Sequence, residues 1–280
     1  MGARFTLILF LLGSLLLGGC AAQRVPLPFV TPDQLPDAWL DALAGEPCPD
    51  PFRARVRMRL GVPDHPSVRL DGTLLADVPD HIRLSGKLGV FRPIFNLFAV
   101  PDSCEMLIHD DSTYWITARD QADWSIMNPS AWGHVLEWAL CPQGLVHRIV
   151  PEGAGRVEGR EWTVSGRLEG TPFHAELVFD RKDRRLLSIV LRDRTEEEPQ
   201  PVAVSARLRD HEEVGTQLVP TRLEFALPHP EGTLNLTVEI AGLSPLGLDD
   251  LVGKGLVRPP GWRAVGRGGT AVFPIPETAP

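Results

Sequence analysis

From Phe52 to Leu60 the chain reads Phe-Arg-Ala-Arg-Val-Arg-Met-Arg-Leu, an apolar side chain at every second position and an arginine at every position between. Only an extended strand sorts such a stretch, because successive side chains of a strand point to opposite faces, so that the arginines share the wet one. A helix would scatter them around its circumference. The same period continues from Val68 to Ala76, with Leu70, Gly72 and Leu74 on one face, and from His81 to Leu88 through Ile82, Leu84 and Leu88, where Gly86 interrupts it. Turns at Val62 to Pro66 and Val78 to Asp80 are too short for a crossover, which predicts three antiparallel strands in a meander.

Val90 to Val100 (Val-Phe-Arg-Pro-Ile-Phe-Asn-Leu-Phe-Ala-Val) is the most apolar stretch beyond the N-terminal segment. It reads either as a core strand bent at Pro93 or, in part, as an exposed apolar loop. Cys104 to His109 and Thr113 to Ala118 form a hairpin, and its His109-Asp110-Asp111-Ser112 link is turn chemistry rather than a metal triplet. Two helices are expected. In the first, capped by Thr31 or Asp33, Leu35, Trp39, Leu40 and Leu43 share a face and Gly45 stops the run. The second opens at Asn128-Pro129-Ser130, gathers Trp132, Val135, Leu136 and Ala139, and leaves at Gly144. In it His134 and Glu137 share a face, read as a solvated one. Strands are expected again at Arg156 to Leu168, Thr171 to Asp180, Arg184 to Arg192, Val202 to Arg209, Thr221 to Leu227 and Thr233 to Ile240, with an acidic loop from Thr195 to Pro201.

Ahead of the folded part, Arg4 precedes an apolar run from Phe5 to Leu17 that ends in Gly18-Gly19-Cys20. This is the pattern of a bacterial lipoprotein export signal, at which the cysteine carries diacylglycerol and acyl groups and becomes the mature N-terminus. A myristoylation match at Met1 to Thr6 leaves that junction unexplained. Ala21 is not acidic, which directs such a lipoprotein to the outer membrane, periplasmic face. The expected organisation is a signal peptide at 1–19, lipid anchor and flexible tether at 20–32, a main domain at 33–242 and a Gly- and Pro-rich C-terminal extension at 243–280.

With 28 basic and 36 acidic residues the net charge is -8, which argues against nucleic acid as a partner. Beyond the anchor, Cys48, Cys104 and Cys141 make an odd number in an oxidising compartment, most simply one disulfide and one remaining thiol. The pairing stays open, with Cys104–Cys141 preferred because both border segments of the same half of the sheet. No CxxC pair, HExxH, GxSxG or phosphate-cradling loop occurs, and the eight histidines are scattered, so neither a metal, a redox cofactor nor catalysis is expected.

The lipobox ending at Cys20, the strand Phe52 to Leu60, the stretch Leu70 to Ala76 followed by Pro79-Asp80-His81-Ile82-Arg83-Leu84, and the hairpin end Tyr114-Trp115-Ile116 together resemble the LolA/LolB superfamily and the wider LolB-like lipoproteins, over Pro32 to Asp180. The resemblance implies a mainly β fold with short helices, in which a curved antiparallel sheet forms an incomplete barrel covered by helices over an apolar cavity for acyl chains. Physics agrees: a curved sheet with an apolar face needs a second layer or a ligand to cover it. Val56, Met58, Leu70, Leu74, Ile82, Leu84, Phe95, Trp115 and Trp132 would line such a cavity. By the same resemblance, Phe91, Ile94 and Phe95 of Val90 to Phe98 are the membrane-touching residues, and the helices near Trp39, Leu43 and Trp132 gate the cavity. The implied partners are acyl chains of lipoproteins or lipids and a periplasmic carrier that delivers them. The rival reading is a non-catalytic envelope scaffold that holds another protein through an exposed strand edge or its arginine-striped face.

Overall fold

The computed structural model describes residues 35–118, 129–152, 155–194, 202–229, 232–247, 256 and 258–265. The expected signal segment, Cys20, the expected tether, the expected loop at 195–201 and the end of the C-terminal extension at 266–280 lie outside the described residues, as do the expected caps Thr31 and Asp33. No described helix is long and apolar enough to cross a membrane.

The chain builds one open, curved sheet from two meanders. The first runs β1 (Phe52–Gly61), β2 (Val68–Asp77), β3 (His81–Leu88), β4 (Arg92–Ala99), β5 (Ser103–Ile108) and β6 (Thr113–Ala118), each antiparallel to the one before. The second contains β7 (Ile149–Pro151), β8 (Arg156–Glu158), β9 (Glu161–Leu168), β10 (Phe173–Asp180), β11 (Leu186–Asp193), β12 (Val202–Val214), β13 (Gln217–His229) and β14 (Gly232–Pro245). Pairing of β1 with β14 joins them into the order β15-β6-β5-β4-β3-β2-β1-β14-β13-β12-β11-β10-β9-β7, with β8 on the side of β9 and β15 (Arg263–Val265) parallel to β6. The stretch read as one strand from Arg156 to Leu168 is broken by a turn into β8 and β9.

Among the described residues three short helices complete the fold: α1 (Leu35–Ala44), α2 (Pro129–Leu140) and α3 (Gln143–Val146). The last two lie in the connection from β6 to β7, strands near opposite ends of the sheet. That connection crosses the open side, which is why α2 packs on β4, β5 and β6 and also on β13. Four strands separate β4 from β13 in the sheet, so a helix in contact with both requires the sheet to curl around it. Part of that curl comes from Gly72 and Gly86, directly opposed across β2 and β3. A Cβ on Gly72 would lie 1.8 Å from the Ser85 carbonyl oxygen, and one on Gly86 would lie 2.4 Å from the Phe95 ring, so only glycine permits this bend.

The C-terminal part is woven in. β14 continues past the expected boundary at residue 242, and Leu256 packs with Phe98 and Leu107, flanked by Val100, Tyr114 and Trp262, on the outer side of β4 to β6. This explains why Val90 to Val100 is apolar on both sides: β4 is buried from within by α2 and from without by this strap.

The disulfide joins Cys48 to Cys141, not Cys104 to Cys141. Cys104 lies inside β5 and is buried beneath α2, whereas Cys141 follows the end of α2, its Cα 5.2 Å from that of Cys48 on the segment leading into β1. The bond therefore pins the C-terminal end of α2. Gln143 reinforces the same point, its side-chain N–H donating to the Ala44 carbonyl at the end of α1.

Candidate functional site

Cross-strand register turns the alternating sequence into a continuous apolar surface. Ala54, Leu74, Leu84, Leu97, Met106 and Trp115 stand opposite one another in sequence across β1 to β6, all buried. A second row runs Phe52, Ala76, Ile82, Ala99, Cys104, Thr117. A third contains Val56, the two opposed glycines, Phe95 and Ile108. In the other meander Val164, Leu177, Ile189, Ala206 and Phe225 make an equivalent buried row from β9 to β13. Met58 and Leu70 face each other beside Val238.

Every strand residue expected to line a cavity thus lies on this one face. Val56, Met58, Leu70, Leu74, Ile82, Leu84 and Trp115 are buried, and Phe95 is half-buried over Gly86. Trp132 comes from α2 and meets Phe225 edge to face, ring centroids 5.7 Å apart. Next to it, a Cβ on Gly133 would lie 3.2 Å from both the Ala99 Cβ and the Cys104 Sγ, so α2 rests almost backbone-to-sheet on the first meander. Two adjacent helix residues therefore touch the two arms of the curved sheet. Glycine inside a helix costs about 1 kcal/mol relative to alanine, and that unusual placement is the signal by which the sequence marks a close approach.

The cover is not wholly apolar. His134 and Glu137, expected on a solvated face, are only 4% and 8% exposed, with Nδ1 3.7 Å from Oε2 and the imidazole stacked on Trp138. The expectation fails because α2 is enclosed on more than one side, by the sheet and by α3. On the sheet itself, the indole N–H of Trp115 is buried with no hydrogen-bond acceptor among the described residues. A donor left so costs about 1–3 kcal/mol.

At the expected gate, Leu43 is buried and the side chain of Trp39 lies outside the described residues, though its backbone belongs to α1. A cleft of about 270 Å³ separates Leu40, Asp41 and Ala44 of α1 from Val146, His147, Ile149 and Pro151.

The expected membrane-touching set is corrected. Ile94 is buried and Phe95 half-buried, because both lie within β4, while Phe91, 91% exposed, and Val90 form the tip of the β3–β4 hairpin. The hairpin is braced by Arg92, whose Nη2 donates to Asp110 at 3.1 Å.

No family model and no curated protein matches this sequence. Solved structures do match it. A LolA superfamily protein from Nitrosomonas europaea superposes with a TM-score of 0.53 at 10% identity, over 78% of this chain and 97% of that one. A DUF1329 family protein from Desulfovibrio piger superposes with a TM-score of 0.55 at 8% identity, over 79% of this chain and 96% of the other. In its fold, one curved and open antiparallel sheet forming an incomplete barrel, this chain is similar to the LolA superfamily structure.

Proposed function

We propose that this protein is an envelope lipoprotein, held at the periplasmic face of the outer membrane by acyl groups on Cys20, whose concave face accepts acyl chains of lipoproteins or lipids. A soluble periplasmic carrier delivers them and the membrane receives them. The observation that carries this reading is the continuous apolar surface across β1 to β6, with α2, a 12-residue helix that holds the buried pair His134 and Glu137, resting on its β4 to β6 part and on β13.

Burying a polar pair weakens a cover, because desolvation offsets part of what its apolar neighbours contribute. Lifting α2 exposes a few large side chains at about 1.5–3 kcal/mol each. An acyl chain returns about 0.8 kcal/mol per buried methylene, so about 8–15 methylenes, half to the whole of one fatty chain, offset the exposure of Val135, Leu136, Trp138 and Leu140. The pinned end at Cys141 makes this a swing rather than a detachment. An ester carbonyl entering with the chain would give the Trp115 indole its acceptor. Val90 and Phe91 at the hairpin tip reach into the interface of the receiving bilayer. The role is carriage: these side chains bury hydrocarbon and orient one polar group.

The test uses the Cys20→Ala chain, which stays unacylated. Purified from an envelope extract and examined by native mass spectrometry, it should carry one or two acyl-bearing molecules. Trp115→Phe should bind a fluorescent fatty-acyl ester about fivefold more weakly, the loss of one hydrogen bond of about 1 kcal/mol, while unfolding no more easily than the parent. A bare mass together with no uptake of the fluorescent ester refutes the carrier.

A further inference from the structure

The polar face of the sheet holds a second concavity that acyl carriage does not use. A groove of about 560 Å³ lies over β13, β14, β1 and β2, lined by Arg57, Arg59, Arg69, Arg222, Asp71 and Glu239 among others. Register divides these residues into two rows. In one, Arg222, Glu239, Arg57 and Asp71 stand opposite one another with alternating sign, and Arg57 lies 3.8 Å from Asp71 and 3.9 Å from Glu239. That row balances itself.

The neighbouring row does not. Thr237 faces Arg59, and Arg59 faces Arg69 across β1 and β2. The carboxylate beyond Thr237, Glu224, is engaged by Arg222 at 2.9 Å and Arg209 at 3.5 Å. Arg59 is steadied by a neutral group, its Nε donating to Ser67 Oγ at 3.1 Å, which leaves its terminal nitrogens for another acceptor. Like charges directly opposed across a strand pair repel, and this chain, with a net charge of -8, nevertheless sets two guanidiniums face to face in a concavity.

We propose that the groove is an anion site for a phosphate group, clamped between Arg59 and Arg69 and flanked by Arg57 and Arg222. Phosphate rather than carboxylate follows from geometry. A carboxylate is planar and fills one guanidinium fork, whereas a tetrahedral phosphate offers oxygens to two forks approaching from different sides. The groove is far larger than a bare phosphate, so the group is borne on a larger organic molecule, either a lipid headgroup or a soluble phosphorylated compound. This reading stands independently of acyl carriage.

The test takes the full chain in neutral detergent micelles at physiological ionic strength. Two probes are titrated by calorimetry: inorganic pyrophosphate, and phosphatidylglycerol doped into the micelles. Saturable binding of pyrophosphate supports the site with a soluble source, and binding of the doped micelles alone supports it with a headgroup source. In either case Arg59→Gln with Arg69→Gln should weaken binding about tenfold or more, and Arg53→Gln, on the same face outside the groove, should not. Both clamp residues are solvent-exposed, so the double variant should melt no lower than the parent; should it fail to fold, Arg69→Gln alone carries the same comparison. Failure of both probes overturns the proposal, as does an equal loss with Arg53→Gln. Full affinity in the charge-preserving Arg59→Lys, Arg69→Lys chain also overturns it, since lysine keeps the field but not the fork.

Discussion

Asp180 shows what one side chain contributes to this framework. It is 3% exposed at the end of β10, and it accepts hydrogen bonds from Arg160, Arg185 and the backbone N–H groups of Lys182 and Asp183. Burial alone would raise its pKa; the Arg160 hydrogen bond, the two backbone donors and the Arg160 charge reverse that and hold the carboxyl below its ordinary value. A carboxyl depressed on folding adds stability above its unfolded pKa, and that stability is lost as pH falls through the lower folded value. Asp180→Asn should therefore cost about 1–2 kcal/mol near neutral pH, the scale of charge-assisted hydrogen bonds lost to a partner, Arg160, that is itself half exposed to solvent. In urea unfolding the gap between variant and parent should shrink in acid. A gap unchanged down to pH values where carboxyls are protonated would show that the loss is packing and not charge.

At the scale of elements, the strands with one wet face were legible and those with two dry faces were not. Phe52 to Leu60 declares its register because arginine marks every outward position, and β1 runs over these residues and Gly61. β4 carries no such mark, since its outer cover is Leu256 and Trp262, distant in sequence. The two readings of Val90 to Val100 were each half right: a core strand from Arg92, and an exposed tip before it. The buried pair His134 and Glu137 escaped for a similar reason, because a helix enclosed on several sides has no polar face to read. The disulfide depended on where α2 ends in space, which spacing does not encode. The tip has its own test. Phe91→Asp removes the most exposed large apolar side chain from a turn that packs against little, so it should change stability by less than about 0.5 kcal/mol. Delivery of a fluorescent acyl cargo to vesicles should nonetheless slow, while uptake stays normal. Equal delivery by parent and variant would remove the tip from the mechanism.

For the whole molecule, the decisive relation is between two meanders that meet at β1 and β14 and the connection from β6 to β7 that carries α2 back across their open side. A sheet of this width cannot close by its own pairing when its last strands are as short as β15 and β7, so a helix closes it instead. Closure by a helix is reversible in a way that closure by a strand ladder is not, since α2 touches the arms through side chains such as Trp132 and through the approach at Gly133. The same approach offers a lock. A Cβ at position 133 would lie 3.9 Å from the Cβ of Cys104, within the ~3.5–4.5 Å that a disulfide needs. Gly133→Cys should therefore bond to the Cys104 thiol on mild oxidation and fasten the middle of α2 to β5, adding to the pin at Cys141. Gly133→Ser, nearly the same size and unable to cross-link, separates the lock from mere crowding. If acyl chains enter by displacing α2, oxidised Gly133→Cys should take up no fluorescent ester, reductant should restore uptake, and Gly133→Ser should bind under both conditions. Uptake by a locked chain, with the new bond verified by mass, would mean that α2 is a fixed wall and that hydrocarbon reaches the protein elsewhere.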